Sequence, residues 1–225
     1  MKNVISFSLW GNEPMYWFGA KENIKLAVNY FRGWKCRFYV DKNCNKELIE
    51  SLIAPNSEII LVEKINDYDG MFWRFLASVD PEVNICLSRD CDSRFSDREI
   101  AAIIEWLSSD KDFHIMRDHP NHQFPILGGM WGSRNGIMKE IGLKHLIKQW
   151  GRYDRKGIDQ DFLGQVVYPL VQGNCFEHSE FNISYGAQIH SFPTKRNDYE
   201  FVGDVFDERN LRHHEYWKFI KDYKE

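Results

Sequence analysis

Two hydrophobic periods alternate along the first half of the chain, and their regularity leaves few folds open. Val4–Leu9 has the apolar run of a buried strand, and Lys21–Phe31 places Ile24, Ala27, Val28 and Phe31 on one helix face. The pattern repeats as a strand over Cys36–Val40, a helix over Lys46–Ile53 and a strand over Glu58–Val62. A helix over Met71–Ser78 and a strand over Val83–Leu87 follow. Ser96 and Glu99 have the spacing of a capping box opening a helix through Leu107, and Phe113–Met116 is a further strand. Such repeats predict an α/β fold, a mixed, mostly parallel sheet covered by helices on both faces. Ligands of these sheets bind at the carboxyl ends of strands.

The second half is less regular. Gly128, Gly129 and Gly132 interrupt an apolar run. Helices are expected over Asn135–Gln149 and Asp159–Tyr168, with short strands around Asn174–Phe176 and Ser184–Ile189. Glu208–Lys221 reads as a surface helix with Trp217 and Phe219 turned inward. No linker or repeat divides the 225 residues, so a single domain is expected. A net charge of −4 argues against a nucleic-acid partner. No stretch free of Asp, Glu, Lys and Arg reaches the ~20 residues of a transmembrane segment, and Val4–Gly11 makes a poor signal peptide. Five cysteines without a C-x-x-C pair suit free thiols in a reducing compartment, so a cytoplasmic location is expected.

The chemistry concentrates where Val83–Leu87 ends. Asp90 and Asp92 follow at i and i+2, and both carboxylates can reach one divalent cation if the backbone between them turns. Hard oxygen ligands suit Mn²⁺ or Mg²⁺, and a diphosphate can complete the shell. Arg89 and Arg94 flank the pair, placed to bind phosphate or to hold the carboxylates. The competing reading is a solvated turn before a capped helix.

Around this motif the chain resembles glycosyltransferases of the GT-A type, which bind a nucleotide-sugar diphosphate through a metal held by a D-x-D motif. It looks like the small single-domain forms associated with polysaccharide and glycan biosynthesis. The matching stretches are Ile5–Gly11, Phe72–Leu76, Ser88–Arg94, His114–Pro120, Gly128–Gly132 and Gly157–Leu163. Together they touch most of the chain up to about Val202. The resemblance implies a Rossmann-like GT-A domain with a nucleotide-binding half (1–117), an acceptor and catalytic half (118–207) and a C-terminal helix (208–225). It implies a UDP- or GDP-linked sugar donor and a glycan or other hydroxyl acceptor.

Roles follow from the same resemblance. Phe7, Ser8 and Trp10 would line the nucleotide pocket, and Arg74 would meet Asp90 or donor phosphate. Arg89, Asp118 and Gly129 would join the donor site, Asp118 through sugar hydroxyls and Gly129 through close backbone approach. Trp131 offers a face for sugar stacking or a core ring. His119 and His122 are weak zinc evidence and read better as parts of a polar loop. Asp161, then Asp159, would be the general base of an inverting reaction. In a retaining reaction Gln160 or Asp161 would stabilise the reacting centre. Asp92 and Asp90 would hold the metal with a histidine, His178 in preference to His190. Lys195 and Arg196 would close over the diphosphate or remain surface charge. A nucleotidyltransferase is the alternative enzyme, and a catalytically idle nucleotide- or sugar-binding module is the alternative outside enzymes.

Overall fold

The computed structural model describes residues 1–150, 155–181 and 183–222. The chain opens with β1 (Lys2–Leu9), α1 (Pro14–Tyr30), β2 (Lys35–Asp41), α2 (Lys46–Glu50) and β3 (Ser57–Val62). There follow α3 (Gly70–Trp73), a 3₁₀ turn (Arg74–Val79), β4 (Val83–Ser88), α4 (Asp97–Ser108), β5 (Phe113–Arg117) and β6 (Trp131–Arg134). Next come α5 (Ile137–Glu140), α6 (Leu143–Trp150), α7 (Ile158–Phe162) and, after a π-helical turn, α8 (Tyr168–Val171). β7 (Cys175–Ser179), β8 (Ile189–His190) and α9 (Trp217–Lys221) complete the described elements.

The strands form one sheet in the order β3-β2-β1-β4-β6-β5-β7-β8. All pairs are parallel except those of β6, which runs antiparallel between β4 and β5. The fold is thus the α/β sandwich read from the sequence. Strand alternation sends side chains to two cores. Ile5, Phe7 and Leu9 face α1 and α4 with Phe38, Val40 and Leu87. Val4, Tyr39 and Cys86 face the other way, onto Trp73 and Ala77. Further along that second layer, Phe113, Ile115 and Trp131 pack against Phe162 and Leu163. All five cysteines are free thiols, and no described helix is long and apolar enough to cross a membrane.

Four elements depart from the sequence reading. α1 begins at Pro14 instead of Lys21, because proline suits the first helical turn, where its missing N–H is no loss. The helix expected over Asn135–Gln149 breaks at Gly142, whose φ of 74° turns the chain between α5 and α6. The expected strand around Ser184–Ile189 reduces to Ile189–His190. The helix expected over Glu208–Lys221 is preceded by a turn: Asp207 accepts from Arg209 N and Leu211 N, and Phe206 bridges Arg212. Only α9 and a short 3₁₀ turn before it are helical, with Ile220 buried and Phe219 exposed.

Candidate active site

β4 carries the site because its end is fixed on both sides. Arg89 N extends the pairing by donating to Ser6 O at 3.0 Å, and Ser88 Oγ donates to Gly128 O at 2.7 Å. The chain then turns through Asp90-Cys91-Asp92 at the carboxyl edge of the sheet. Asp90 Oδ1 pairs with Arg74 Nη1, and Arg74 Nη2 donates to Asp159 Oδ2 at 3.0 Å. Arg74 is anchored as well through its backbone N, which donates to Ser8 Oγ at 2.9 Å. Three segments distant in sequence therefore meet at one guanidinium.

The two glycines before β6 make that meeting possible. A Cβ on Gly129 would overlap the Asp90 carboxylate, and one on Gly128 would overlap Arg74 and Asp159. Side chains at these positions would push the ion pair apart, so the backbone itself forms the floor of the site.

The electrostatics fit a divalent cation. Asp90 shares Arg74, but no ion pair holds Asp92 among the described residues. Burial, and next the charge of Asp90, push the Asp92 pKa up to about 6. Such a crowded acidic pair is stabilised by positive charge. Among the described residues no cluster of three His, Cys, Asp or Glu side chains forms a complete metal cage. Mg²⁺-like ions are commonly held by one or two carboxylates plus substrate phosphates, and this donor set fits that pattern.

Several sequence expectations are corrected by the geometry. His178 does not reach the carboxylates. It lies on β7, three strand spacings or about 14 Å across the sheet from β4. Both its ring nitrogens are engaged: Nδ1 with His114 Nε2 at 2.9 Å and Nε2 with Glu105 Oε2 at 3.0 Å. His190 lies one strand further out and stacks on Phe176. Arg89 turns away into a buried pair with Glu99 and donates to Trp131 O. Glu99 is thus only half of a capping box: its N–H donates to Ser96 Oγ, but its carboxylate serves Arg89. Arg94 grips the carbonyls of Cys91 and Ser93 and the Asn210 side chain.

Asp118 is fully buried, clamped by Arg98, Arg196 and Val202 N, which leaves it unable to meet a sugar. The same clamp ties Arg196 to Asp118, while Lys195 stays on the surface. Phe7 stacks on Phe38 inside the core, and Trp131 on Phe113, so neither offers a ligand face. His122 Nδ1 accepts from Asp118 N, and His119 bonds Asn121 N and Tyr216 O, which pins their loop. Asp159 joins the Arg74 cluster, whereas Asp161 pairs with exposed Arg155. Gln160 between them is half-buried. Trp10, also half-buried, meets Trp73 edge-on at 6.1 Å.

Sequence reasoning missed the support beneath the carboxylate loop. Gly19 of α1 lies so close to Cys91 O that a Cβ there would collide with it, and Asn23 Nδ2 donates to Ser93 O at 3.0 Å. The signal was the i, i+4 spacing of Gly19 and Asn23, legible once the helix is started at Pro14. From the other side, Phe206 N donates to Asp92 O at 2.8 Å. A cavity of about 350 Å³ opens nearby, walled by Tyr68, Phe72, Trp73, Ile147 and Ile158.

No family model and no curated protein matches the sequence. Solved structures do match the fold, which is that of the GT-A glycosyltransferases. A glycosyltransferase involved in glycosylation of the major capsid of PBCV-1 aligns with a TM-score of 0.53 at 15% identity, covering 80% of this chain and 82% of that one. The glycosyltransferase GlyE of Streptococcus pneumoniae TIGR4 aligns with a TM-score of 0.53 at 12% identity, over 79% of this chain and 45% of that one. A mannosyltransferase from Pyrobaculum calidifontis, in complex with GDP-Man and Mn²⁺, aligns with a TM-score of 0.50 at 10% identity, over 86% of this chain and 58% of that one.

Proposed function

We propose that the protein is a metal-dependent glycosyltransferase that moves a sugar from a nucleoside-diphosphate sugar to a glycan or other hydroxyl acceptor. The observation that carries this reading is the carboxylate pair ending β4: Asp90 lies on the glycine backbone at Gly129, and no ion pair among the described residues holds Asp92. Asp92 and Asp90 are the residues to hold Mn²⁺ or Mg²⁺. The cation, when bound, supplies Lewis-acid neutralisation of the departing diphosphate. The complex of the mannosyltransferase neighbour with GDP-Man and Mn²⁺ supports that choice.

The chain's own residues do the positioning. Arg74 keeps Asp90 turned toward Gly129 and Asp159 over Gly128, which fixes the polar groups facing the donor sugar. Asp159 replaces Asp161 as the leading candidate to contact that sugar and, in an inverting reaction, to take the acceptor proton. In a retaining reaction the leaving phosphate accepts the proton, and Gln160 is the candidate to stabilise the reacting centre. Ser8 supports Arg74, and the half-buried Trp10 gives the nucleoside an aromatic wall.

Residues 1–117 form the nucleotide-binding half in this reading, and 118–207 the acceptor and catalytic half. Five free cysteines support a reducing, cytoplasmic setting. The test is to incubate the protein with UDP- and GDP-linked sugars and follow release of nucleoside diphosphate with and without Mn²⁺. Metal-dependent release from one donor class supports the reading. Pyrophosphate release from a nucleoside triphosphate would point to nucleotidyl transfer. Neither activity from folded protein would leave a binding module.

A further inference from the structure

α1 does more than cover the sheet: one of its faces holds the carboxylate loop. Gly19 allows backbone contact with Cys91, the residue between the two aspartates, and Asn23 donates to the carbonyls of Cys91 and Ser93. Gly19 and Asn23 are one turn apart, and Tyr16 lies one turn before Gly19 on the same face. This spacing puts Tyr16 on the face of α1 that meets the carboxylate loop, beyond Gly19 on the side of Asp90 and Asp92. Buried Trp17 donates its Nε1–H to Gly11 O at 2.9 Å, fixing the first turn and therefore the Tyr16 backbone.

Tyr16 is itself 39% exposed, and its hydroxyl has no hydrogen-bond partner among the described residues. Burial of its ring, followed by the charges of Asp92 and Asp90, raises its pKa, which places the phenol in the field of both carboxylates. A neutral phenol beside two acids keeps its proton and acts as a donor.

We propose that Tyr16 is a further donor-binding residue, its hydroxyl donating to the diphosphate of a nucleotide sugar held at Asp92. This rests on the glycosyltransferase reading. The diphosphate is the part of such a donor that sits against the carboxylate pair, and its oxygens are strong acceptors for a neutral O–H.

Calorimetry of wild type, Tyr16→Phe and Asp92→Ala tests it, with Mn²⁺ alone and with GDP or UDP plus Mn²⁺ as probes. Tyr16→Phe should weaken binding of the nucleoside diphosphate on the order of tenfold, the effect of one hydrogen bond to a charged group. Its affinity for Mn²⁺ alone and its melting temperature should match wild type. Unchanged diphosphate affinity in Tyr16→Phe, with binding lost in Asp92→Ala, would overturn the assignment and leave the site reading intact. An equal loss for Mn²⁺ alone would also overturn it, since Tyr16 would then act by positioning Asp92. If wild type binds neither GDP nor UDP with Mn²⁺, the glycosyltransferase reading falls and takes the Tyr16 assignment with it.

Discussion

Arg74→Met removes the one cation that Asp90 and Asp159 share while keeping most of the side-chain volume. The two carboxylates respond differently. The Asp90 side chain is 45% exposed and can turn its charge to water, but that of Asp159 is only 5% exposed. Breaking a buried pair costs about 3–5 kcal/mol, since it strands an uncompensated charge. The half-exposed Asp90 contact adds about 0–1 kcal/mol. At roughly 2–4 °C per kcal/mol for a chain of this size, the melting temperature should fall by about 6–24 °C. Burial already raises the Asp159 pKa, with Arg74 as the main opposing influence. Without Arg74 it climbs further. An acid whose folded pKa exceeds its unfolded value contributes stability below the unfolded pKa and loses it as pH rises through the folded one. The deficit of Arg74→Met should therefore shrink on acidification. Urea and thermal unfolding of both proteins at about pH 7 and about pH 5 measure it. A loss under about 1 kcal/mol, or a deficit that grows on acidification, would refute the buried-pair argument.

Three further outcomes follow from the site. Asp159→Asn should lower turnover far more than Asp161→Asn, because only Asp159 joins the Arg74 cluster; initial rates with a competent donor decide it, and the reverse order would restore Asp161. His178→Asn should lower the melting temperature by breaking its bonds to His114 and Glu105, yet leave Mn²⁺-dependent nucleotide affinity unchanged by calorimetry. Mn²⁺ affinity should drop as pH falls through about 6, where Asp92 takes up a proton and the cation must displace it; a flat profile between about pH 5 and about pH 7 would contradict the raised pKa.

The fold was legible because β1 to β5 carry clean apolar runs separated by short connections, and each strand appears within one or two residues of its expected bounds. The carboxylate pair was legible for the same reason: it follows an unmistakable central strand. The histidine assignment failed because sequence order does not reveal sheet order. β7 lies beyond β6 and β5 in the sheet, so His178 is carried away from β4. Arg89 and Asp118 were misread because a charged residue beside a motif looks alike whether it faces ligand or a buried partner. Glu99 and Arg98, which claim them, sit on α4, one turn after the loop. Tyr16 and Gly19 were missed by starting α1 too late, at a stretch where Trp17 and Phe18 blur the helical period.

The most direct test of the account is thermal unfolding of wild type and Asp92→Ala with a panel of nucleoside diphosphates and nucleotide sugars, each with and without Mn²⁺. A ligand at about a hundredfold excess over its Kd stabilises the folded state by about 2.7 kcal/mol. For a chain of this length that is a rise of about 5–11 °C. The account predicts such a rise for one nucleotide class, only with Mn²⁺ and only in wild type. The same rise without metal, a rise that survives in Asp92→Ala, or no rise with any member of the panel would contradict it.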